Sequence, residues 1–537
     1  MLNRLPTRPD KHFRSRALGV LSGLSLIVFL ASSGLAKNVP ALFSFSELVE
    51  LYKADKLSPE LANRLKIILH TPFVENNYSS PSQISQSEQL GPYVRVASWN
   101  IERGIEFESI AKLFTDAAAF EALLDKKKTS LSGEMREHLL AEAEALRTAD
   151  VIILNEADWG MTRTEYRHIV AELADLMKMN YAFGVQFVEL SPVALSLYKA
   201  NDELEKEVLN VIRVDPTRYE GLHGTAILSR FPLENVRAEQ LKYQPYDWFT
   251  AEKKGPSLLE KGKREVSKRI FLEKTLREVR RGGRMTLTAD IVDQRFPDGR
   301  FTVVATHLEN RSKPAERRRQ LGEILDKIKD VPNAVVLAGD MNTSGQDLKP
   351  TSIGRELNKR FGSPKFWIMT GAKYALSIGL FEDILLGGIT FGRAHADPTA
   401  RHVPFISPNP ERKFFDKLEN FEFADGGQFD FGGDEFRSTG GKGEKLSNSN
   451  QRTTLGFVTT YRVARPIKFI GKSKLDWIFV KPSQAAEIKV GYCPPFAPHF
   501  GQTLRAVNEA VDGRISDHRP LLVDLPIHPV DYERLRN

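Results

Sequence analysis

A carboxylate and an amide two residues apart, Asp340 and Asn342, close the apolar run Ala334-Val-Val-Leu-Ala-Gly339. Side chains at i and i+2 of an extended backbone project to one side. The acid can then fix a proton, a metal ion or a water while the amide orients a phosphate oxygen. The same kind of ending recurs along the chain. Asn100 and Glu102 share a face at the end of a run beginning at Tyr93, and Glu156 follows Asp150-Val-Ile-Ile-Leu-Asn155. His307 follows Phe301–Thr306, Asp476 lies near the start of Lys474–Val480, and Asp517-His518 precede Leu521–Leu525. A carboxylate behind Ile-Ile-Leu is costly to bury unpaired, so Glu156 must face a cation or a solvated cleft. Each residue alone also fits a turn or a satisfied core group. The ordered set is not explained by turns.

Cys493 is the sole cysteine, which excludes an intrachain disulfide and a cysteine-cluster metal site. Any metal must be held by oxygen and imidazole. Residues 1–36 read as a signal peptide or N-terminal anchor: Arg4, Arg8, Lys11, Arg14 and Arg16 precede the uncharged stretch Ala17–Ala36, with Gly34 and Ala36 suited to cleavage before Lys37. The expectation is an exported protein, periplasmic or secreted, or one anchored by residues 17–36. This segment carries four of the seven net positive charges, so the remainder has no strong basic footprint and charge does not argue for nucleic acid.

The apolar runs predict the elements that position these residues. Residues 37–92 read as a mobile lead-in, helical over Phe45–Leu69 and a polar linker over Glu75–Gln89. Strands are predicted at Tyr93–Ile101, Asp150–Glu156, Tyr181–Leu190, Gly221–Pro232, Met285–Val292, Phe301–His307, Ala334–Asn342, Lys474–Val480 and Leu521–Leu525. Helices are predicted within 108–148, at Thr164–Met179 and from Ser312 to Lys329. The basic stretch 245–281 reads as a solvated helix, or as a flank attracting an anionic substrate. Its aromatics Tyr246, Trp248 and Phe249 pack the helix by default, and could otherwise stack on single-stranded nucleic acid or enter a membrane surface. Phe423–Asn450, rich in Gly, Asp and Ser, reads as an exposed loop.

The stretches Ser-Trp-Asn-Ile-Glu102, Leu-Asn-Glu156, Gly-Thr-Ala-Ile-Leu-Ser-Arg230, Ala-Thr-His307-Leu, Ala-Gly-Asp340-Met-Asn342, Leu-Asp476-Trp-Ile-Phe and Ser516-Asp517-His518-Arg-Pro resemble, in order, the endonuclease/exonuclease/phosphatase superfamily. That group includes deoxyribonucleases, abasic-site endonucleases, neutral sphingomyelinases and inositol polyphosphate 5-phosphatases. The resemblance covers 93–526, with insertions at about 108–148, 245–281 and 343–465, and leaves a tail at 527–537. It implies an α/β fold, a four-layer sandwich of two mixed β-sheets packed face to face with helices outside. It also implies that Glu156, helped by Glu102, Asn100 and Asp517, binds Mg²⁺ or Mn²⁺, a choice that hard oxygen ligands suit. By the same resemblance Asp340 orients or deprotonates the attacking water and Asn342 holds a phosphate oxygen. His518 contacts the phosphate or serves as base, Asp476 fixes its tautomer, and His307 is a second phosphate contact or the acid for the leaving group. Asn155 departs from the pattern, which usually has Gln before the metal Glu, and reads as a neighbour of the metal shell.

The activity implied is metal-dependent hydrolysis of a phosphodiester, in a nuclease or a phospholipid head-group phosphodiesterase, with a small phosphate ester as a third substrate class. A non-catalytic phosphate-binding protein of the same fold, or an interaction module built on the insertions, would be the other classes. No protein partner is implied.

Overall fold

Strands that are apolar on both faces must be covered on both faces, and that requirement sets the architecture. The computed structural model describes residues 40–124, 133–197, 214–253, 278–343, 411–430, 452–453, 456–467, 470–484, 488–497, 499–511 and 514–531. The expected leader at 1–36 lies outside them. So do 254–277 of the basic stretch, 344–410 and 431–451 of the longest insertion, and 532–537 of the tail. Among the described residues no helix is long and apolar enough to cross a membrane.

The strands of the two large sheets are, along the chain, β1 (Phe73–Glu75), β2 (Ser85–Ser87), β3 (Gly91–Arg103), β4 (Val151–Trp159), β5 (Asn180–Glu189), β6 (Leu222–Ser229) and β7 (Leu233–Gln240). They continue with β8 (Arg280–Gly282), β9 (Met285–Val292), β10 (Arg300–His307), β11 (Val335–Asp340), β12 (Asp476–Lys481), β13 (His499–Thr503) and β14 (Leu521–Pro526). One sheet runs β1-β5-β6-β4-β3-β14-β13, with β2 added to β3 and β8 to β5; the other runs β12-β11-β10-β9-β7. Both are mixed, because β3 and β4 pair parallel in the first and β10 and β11 in the second, among antiparallel neighbours.

The helices that cover them are α1 (Phe45–Lys53), α2 (Pro59–His70), α3 (Phe107–Thr115), α4 (Ala117–Ala122), α5 (Gly133–Arg147), α6 (Ile169–Met177), α7 (Trp248–Lys253), α8 (Pro314–Ile328), α9 (Arg412–Glu419) and α10 (Arg505–Glu509). Alternation along each strand divides the core. Val96, Ile153, Val303, Ala305, Val336 and Ala338 meet between the sheets. Their sequence neighbours Val304, Val335 and Leu337 face Leu321, Ile324 and Phe415 of α8 and α9. Trp99, Ile101 and Leu154 face outward on Ile110 of α3 and Ile169 of α6. The expected four-layer sandwich is therefore the observed one.

Three expectations change. Residues 41–92 are not a mobile lead-in: Leu48, Leu51, Leu61 and Ile68 are buried in the outer core, and β1 and β2 pair with β5 and β3. The helical stretch expected over Phe45–Leu69 holds α1 and α2, the second started at Pro59 by the Ser58 cap. The helix expected at Thr164–Met179 is confined to Ile169–Met177 behind a 3₁₀ turn. Within the loop expected at Phe423–Asn450, Phe423 and Phe429 are buried against the second sheet, so that part packs as core.

Gly339, which precedes Asp340, has φ +137°, and a Cβ there would lie 1.9 Å from the Thr306 carbonyl oxygen on β10. Gly339→Ala should lower the unfolding free energy by about 3 kcal/mol or more, combining strain with a backbone clash. Gly299→Ala, also at positive φ but with open space around it, should cost only about 1–2 kcal/mol. Urea denaturation of both variants tests the argument, and equal losses would refute it.

Candidate active site

The two parallel strand pairs end at the same edge of the sandwich, and that edge collects the residues singled out in the sequence. Strand β4 has a bulge between Leu154 and Ala157 against β6, and the β3–β4 register shifts between Asn100 and Arg103. Bulges re-aim side chains, and here the backbone is left-handed at Glu102 (φ +48°), Arg103 (φ +69°) and Glu156 (φ +54°). Asn342 is left-handed as well, with φ +48°. Such conformations cost energy in non-glycine residues and are held only where the surroundings impose them.

Asp340 is the hub. Its Oδ1 accepts from the Asn342 backbone N–H at 2.8 Å, and its Oδ2 accepts from Asn100 Nδ2 at 3.2 Å. His307 Nε2 and His518 Nε2 face that same Oδ2 at 3.6 and 3.7 Å. His518 Nδ1 hydrogen-bonds Asp476 Oδ2 at 2.8 Å, and Asp340 and Asp476 are register partners on β11 and β12. Burial and the neighbouring Asp476 carboxylate push the Asp340 carboxyl up to about 7. Burial opposes a charge on His518, but Asp476 and Asp340 outweigh it and raise the imidazole well above its ordinary value. Burial, with Arg284 and two other imidazoles, drives His307 far the other way. Neither ring nitrogen of His307 has a hydrogen-bond partner among the described residues. The amide of Asn342 donates to the Leu308 carbonyl at 2.9 Å, which leaves its second hydrogen for other work.

The acids expected to bind a cation lie on the first-sheet side. Asn100 Nδ2 also reaches Glu156 Oε1 at 3.2 Å, and Glu102 Oε2 accepts from the Asp517 backbone N–H at 2.8 Å. Burial and the Asp517 and Glu156 carboxylates raise Glu102 to about 7, with Arg514 at 3.5 Å partly opposing. Carboxylates and an amide oxygen are the donor types that suit a hard divalent cation, but the ligand oxygens of Glu102, Glu156 and Asp517 do not all lie within 4.8 Å of one another in this structure. Among the described residues only Asp340, Asp476 and His518 bring one ligand atom each within 4.8 Å of one another, close enough to share an ion. The structure thus brings all nine expected residues to one edge of the sandwich.

Several partners escaped the sequence reading. Asp158 is fully buried, gripped by Arg163 at 2.6 and 3.0 Å and by His223 Nδ1 at 2.9 Å. Arg163 also grips Glu189, while Glu278 pairs with Arg103 and Arg280. This network underlies Glu156: burial opposes its charge, but Arg103, His223 and His518 hold its carboxyl below the ordinary value. Its sequence signal was only the Asp two residues beyond Glu156. Asn155 does not turn toward the acids. It spans the sheets, accepting from the Asp340 N–H at 2.8 Å and donating to Thr306 O and Thr225 Oγ1, each at 3.1 Å. Trp248 is buried and donates to Glu309 at 2.9 Å, so it packs rather than offering a stacking face.

The chain belongs to the endonuclease/exonuclease/phosphatase family, whose model matches residues 97–518. Members are hydrolases of phosphoester bonds, typically dependent on a divalent metal. No curated protein matches the chain in sequence. Among solved structures it is similar to an endonuclease/exonuclease/phosphatase from Beutenbergia cavernae, at 16% identity and TM-score 0.35 over 81% of this chain and 71% of that one. It is also similar to the 3′-5′ exonuclease of Neisseria meningitidis, at 12% identity and TM-score 0.35 over 80% and 99%. A third likeness is to the human Nocturnin catalytic domain, at 12% identity and TM-score 0.33 over 81% and 94%.

One buried cation behind the site generates a stability prediction. Lys474 is fully buried, its amine has no hydrogen-bond partner among the described residues, and burial lowers it to about 7 against an opposing pull from Asp476. Between that value and the ordinary lysine range the unfolded chain holds a proton that the folded chain does not, so stability rises with pH across this window. Below it the amine is charged in both states and the burial cost is complete. Lys474→Met should therefore stabilise the protein by about 1–4 kcal/mol at pH 6, with a smaller gain at pH 9. Urea titrations at the two pH values check this, and a gain independent of pH would contradict it.

Proposed function

We propose that the chain is an exported, divalent-metal-dependent phosphodiesterase that cleaves a P–O bond by attack of water. The observation that carries the reading is the convergence of two imidazoles and an amide on Asp340 Oδ2, with Asn100 tying that carboxylate to Glu156. Glu156, Glu102, Asn100 and Asp517 would hold Mg²⁺ or Mn²⁺, which when bound polarises the phosphoryl oxygen and steadies the leaving oxygen.

The other groups divide the remaining work. Asp340 takes the proton of the attacking water, and its elevated value suits a base working near neutral pH. His518, held by Asp476 and favoured in its charged form, donates through Nε2 to a phosphate oxygen and balances the charge that develops there. Asn342 offers the amide hydrogen not used on the Leu308 carbonyl to another phosphate oxygen. His307, favoured in its neutral form and with no hydrogen-bond partner among the described residues, is the second contact for the phosphate or its leaving group. A phosphate-binding protein without chemistry would have no use for a buried base beside a cationic imidazole.

The leader-like sequence of residues 1–36 is what supports the proposal of export, and export would disfavour repair of chromosomal DNA as the role. A nuclease and a phospholipid head-group phosphodiesterase both remain compatible with it, and a small phosphate ester is the third substrate class. Because Trp248 is buried, single-stranded nucleic acid and membrane surfaces lose one of the three aromatics that could have greeted them.

The test is hydrolysis by purified residues 37–537, with Mg²⁺ or with EDTA, on DNA, RNA, sphingomyelin, phosphatidylinositol phosphates and bis-p-nitrophenyl phosphate. Turnover should require the metal and fall by about 10²–10⁴-fold in Asp340→Ala and in His518→Ala. The substrate cleaved assigns the branch. Activity retained in EDTA, or in Asp340→Ala, would defeat the proposal.

A further inference from the structure

We infer that Asn155 is a positioning residue: it fixes the main chain of Asp340 against the cation-side strand and does not itself serve the cation. The inference rests on the role proposed for Asp340, and it reassigns a residue whose place in sequence, directly before Glu156, suggested the metal shell.

Asn155 is on the inner face of β4, in step with Val151 and Ile153, and is fully buried between the sheets. Both hydrogens of its amide are used, one on the Thr306 carbonyl of β10 and one on Thr225 Oγ1 of β6. Its oxygen accepts the Asp340 backbone N–H of β11. No hydrogen is left for a substrate oxygen, and the amide oxygen, the only atom that could meet a cation, is engaged by the Asp340 main chain. One side chain therefore joins four strands, two from each sheet, at the level of the site.

The backbone that it holds is the backbone from which the Asp340 carboxylate extends. Gly339 shows how tight the seat is, since a Cβ there would lie 2.8 Å from Asn155 Oδ1. The three bonds require one acceptor and two donors in a short side chain. Asp keeps the acceptor but turns a carboxylate toward the Thr306 carbonyl. Leu keeps neither function. Displacement of a catalytic group by about 1 Å can cost 10²-fold in rate, so a residue that only positions should act on kcat and leave cation binding alone.

The experiment compares the full chain with Asn155→Leu, Asn155→Asp and, as an inactive reference, Asp340→Ala. Three quantities are read: kcat and KM on bis-p-nitrophenyl phosphate with Mg²⁺, Mg²⁺ affinity of EDTA-stripped protein by calorimetry, and amide hydrogen exchange at Asp340. In Asn155→Leu, kcat should fall by about 10²-fold, with KM and Mg²⁺ affinity near wild type and the Asp340 amide exchanging faster than those of Leu337 and Ala338. In Asn155→Asp, kcat should fall while the Asp340 amide stays protected, because an acceptor remains; this variant also serves if the leucine variant does not fold. Mg²⁺ affinity falling in step with kcat would overturn the inference by making Asn155 a cation-shell group. Unchanged kcat in folded variants, or unchanged exchange at Asp340 in Asn155→Leu, would overturn it as well. Wild-type protein without turnover on any phosphoester would sink the functional reading instead, and the affinity and exchange measurements would still decide the positioning.

Discussion

Two sheets packed face to face bury the polar groups at their shared edge, and a buried polar group is costly unless another polar group answers it. That constraint shapes the whole site. Asn100 divides its amide between Glu156 on one sheet and Asp340 on the other. The loop before β14 is tied to β3 twice, by Trp99 Nε1 on the His518 carbonyl at 2.9 Å and by Ser516 Oγ on the Asn100 carbonyl at 2.7 Å. His518 then closes the circuit to the second sheet through Asp476. In a low-dielectric setting such a connected net is stiff, and loss of one member strands the others.

Backbone strain is the counterpart of that stiffness. Left-handed conformations at Glu102, Arg103, Glu156 and Asn342 cost of order 1–3 kcal/mol each. Regular strand geometry would instead alternate these side chains between an apolar core and a helix layer. The bulges in β3 and β4 break the alternation at the point where the core ends. Neighbouring hydrogen bonds hold the strained residues: Asn100 Oδ1 accepts the Glu102 N–H at 3.1 Å, and Asp340 Oδ1 accepts that of Asn342. The functional side chains orient one another's backbones.

The parts legible in sequence were those under the strongest local constraint. Strands such as Val335–Asp340, buried on both faces, must be apolar throughout, and the polar residue ending each run marks the edge of the sandwich. Edge strand β7 was missed because Leu233-Glu-Asn-Val-Arg-Ala-Glu-Gln covers only one face and reads as a polar connection. The docking of α1 and α2 was missed because an amphipathic pair does not declare what it covers. The arginines were invisible for a different reason. Arg103, Arg163 and Arg280 look like surface charge in a list of residues, and only the fold shows that they share Glu189, Glu278 and Asp158 beneath Glu156. The reach of Asn155 to the second sheet was hidden because its partner lies far along the chain.

The division of labour between the two central carboxylates follows from what surrounds each. Both are desolvated, and burial alone would raise both. Around Glu156 stand Arg103, the His223–Asp158 pair and His518, and their balance favours the charged acid, the state its proposed role as a cation ligand would need. Asp340 instead has Asp476 as its register partner, a like charge that lifts it toward neutrality and makes it a group that can exchange a proton near pH 7. Two acids at one edge of the sandwich, pushed in opposite directions by their neighbours, are fitted by that push to the different tasks proposed for them. The same Asp476 that raises Asp340 also stabilises the charge on His518. A single buried carboxylate thereby shifts both groups, raising the carboxyl and favouring the charged imidazole beside it.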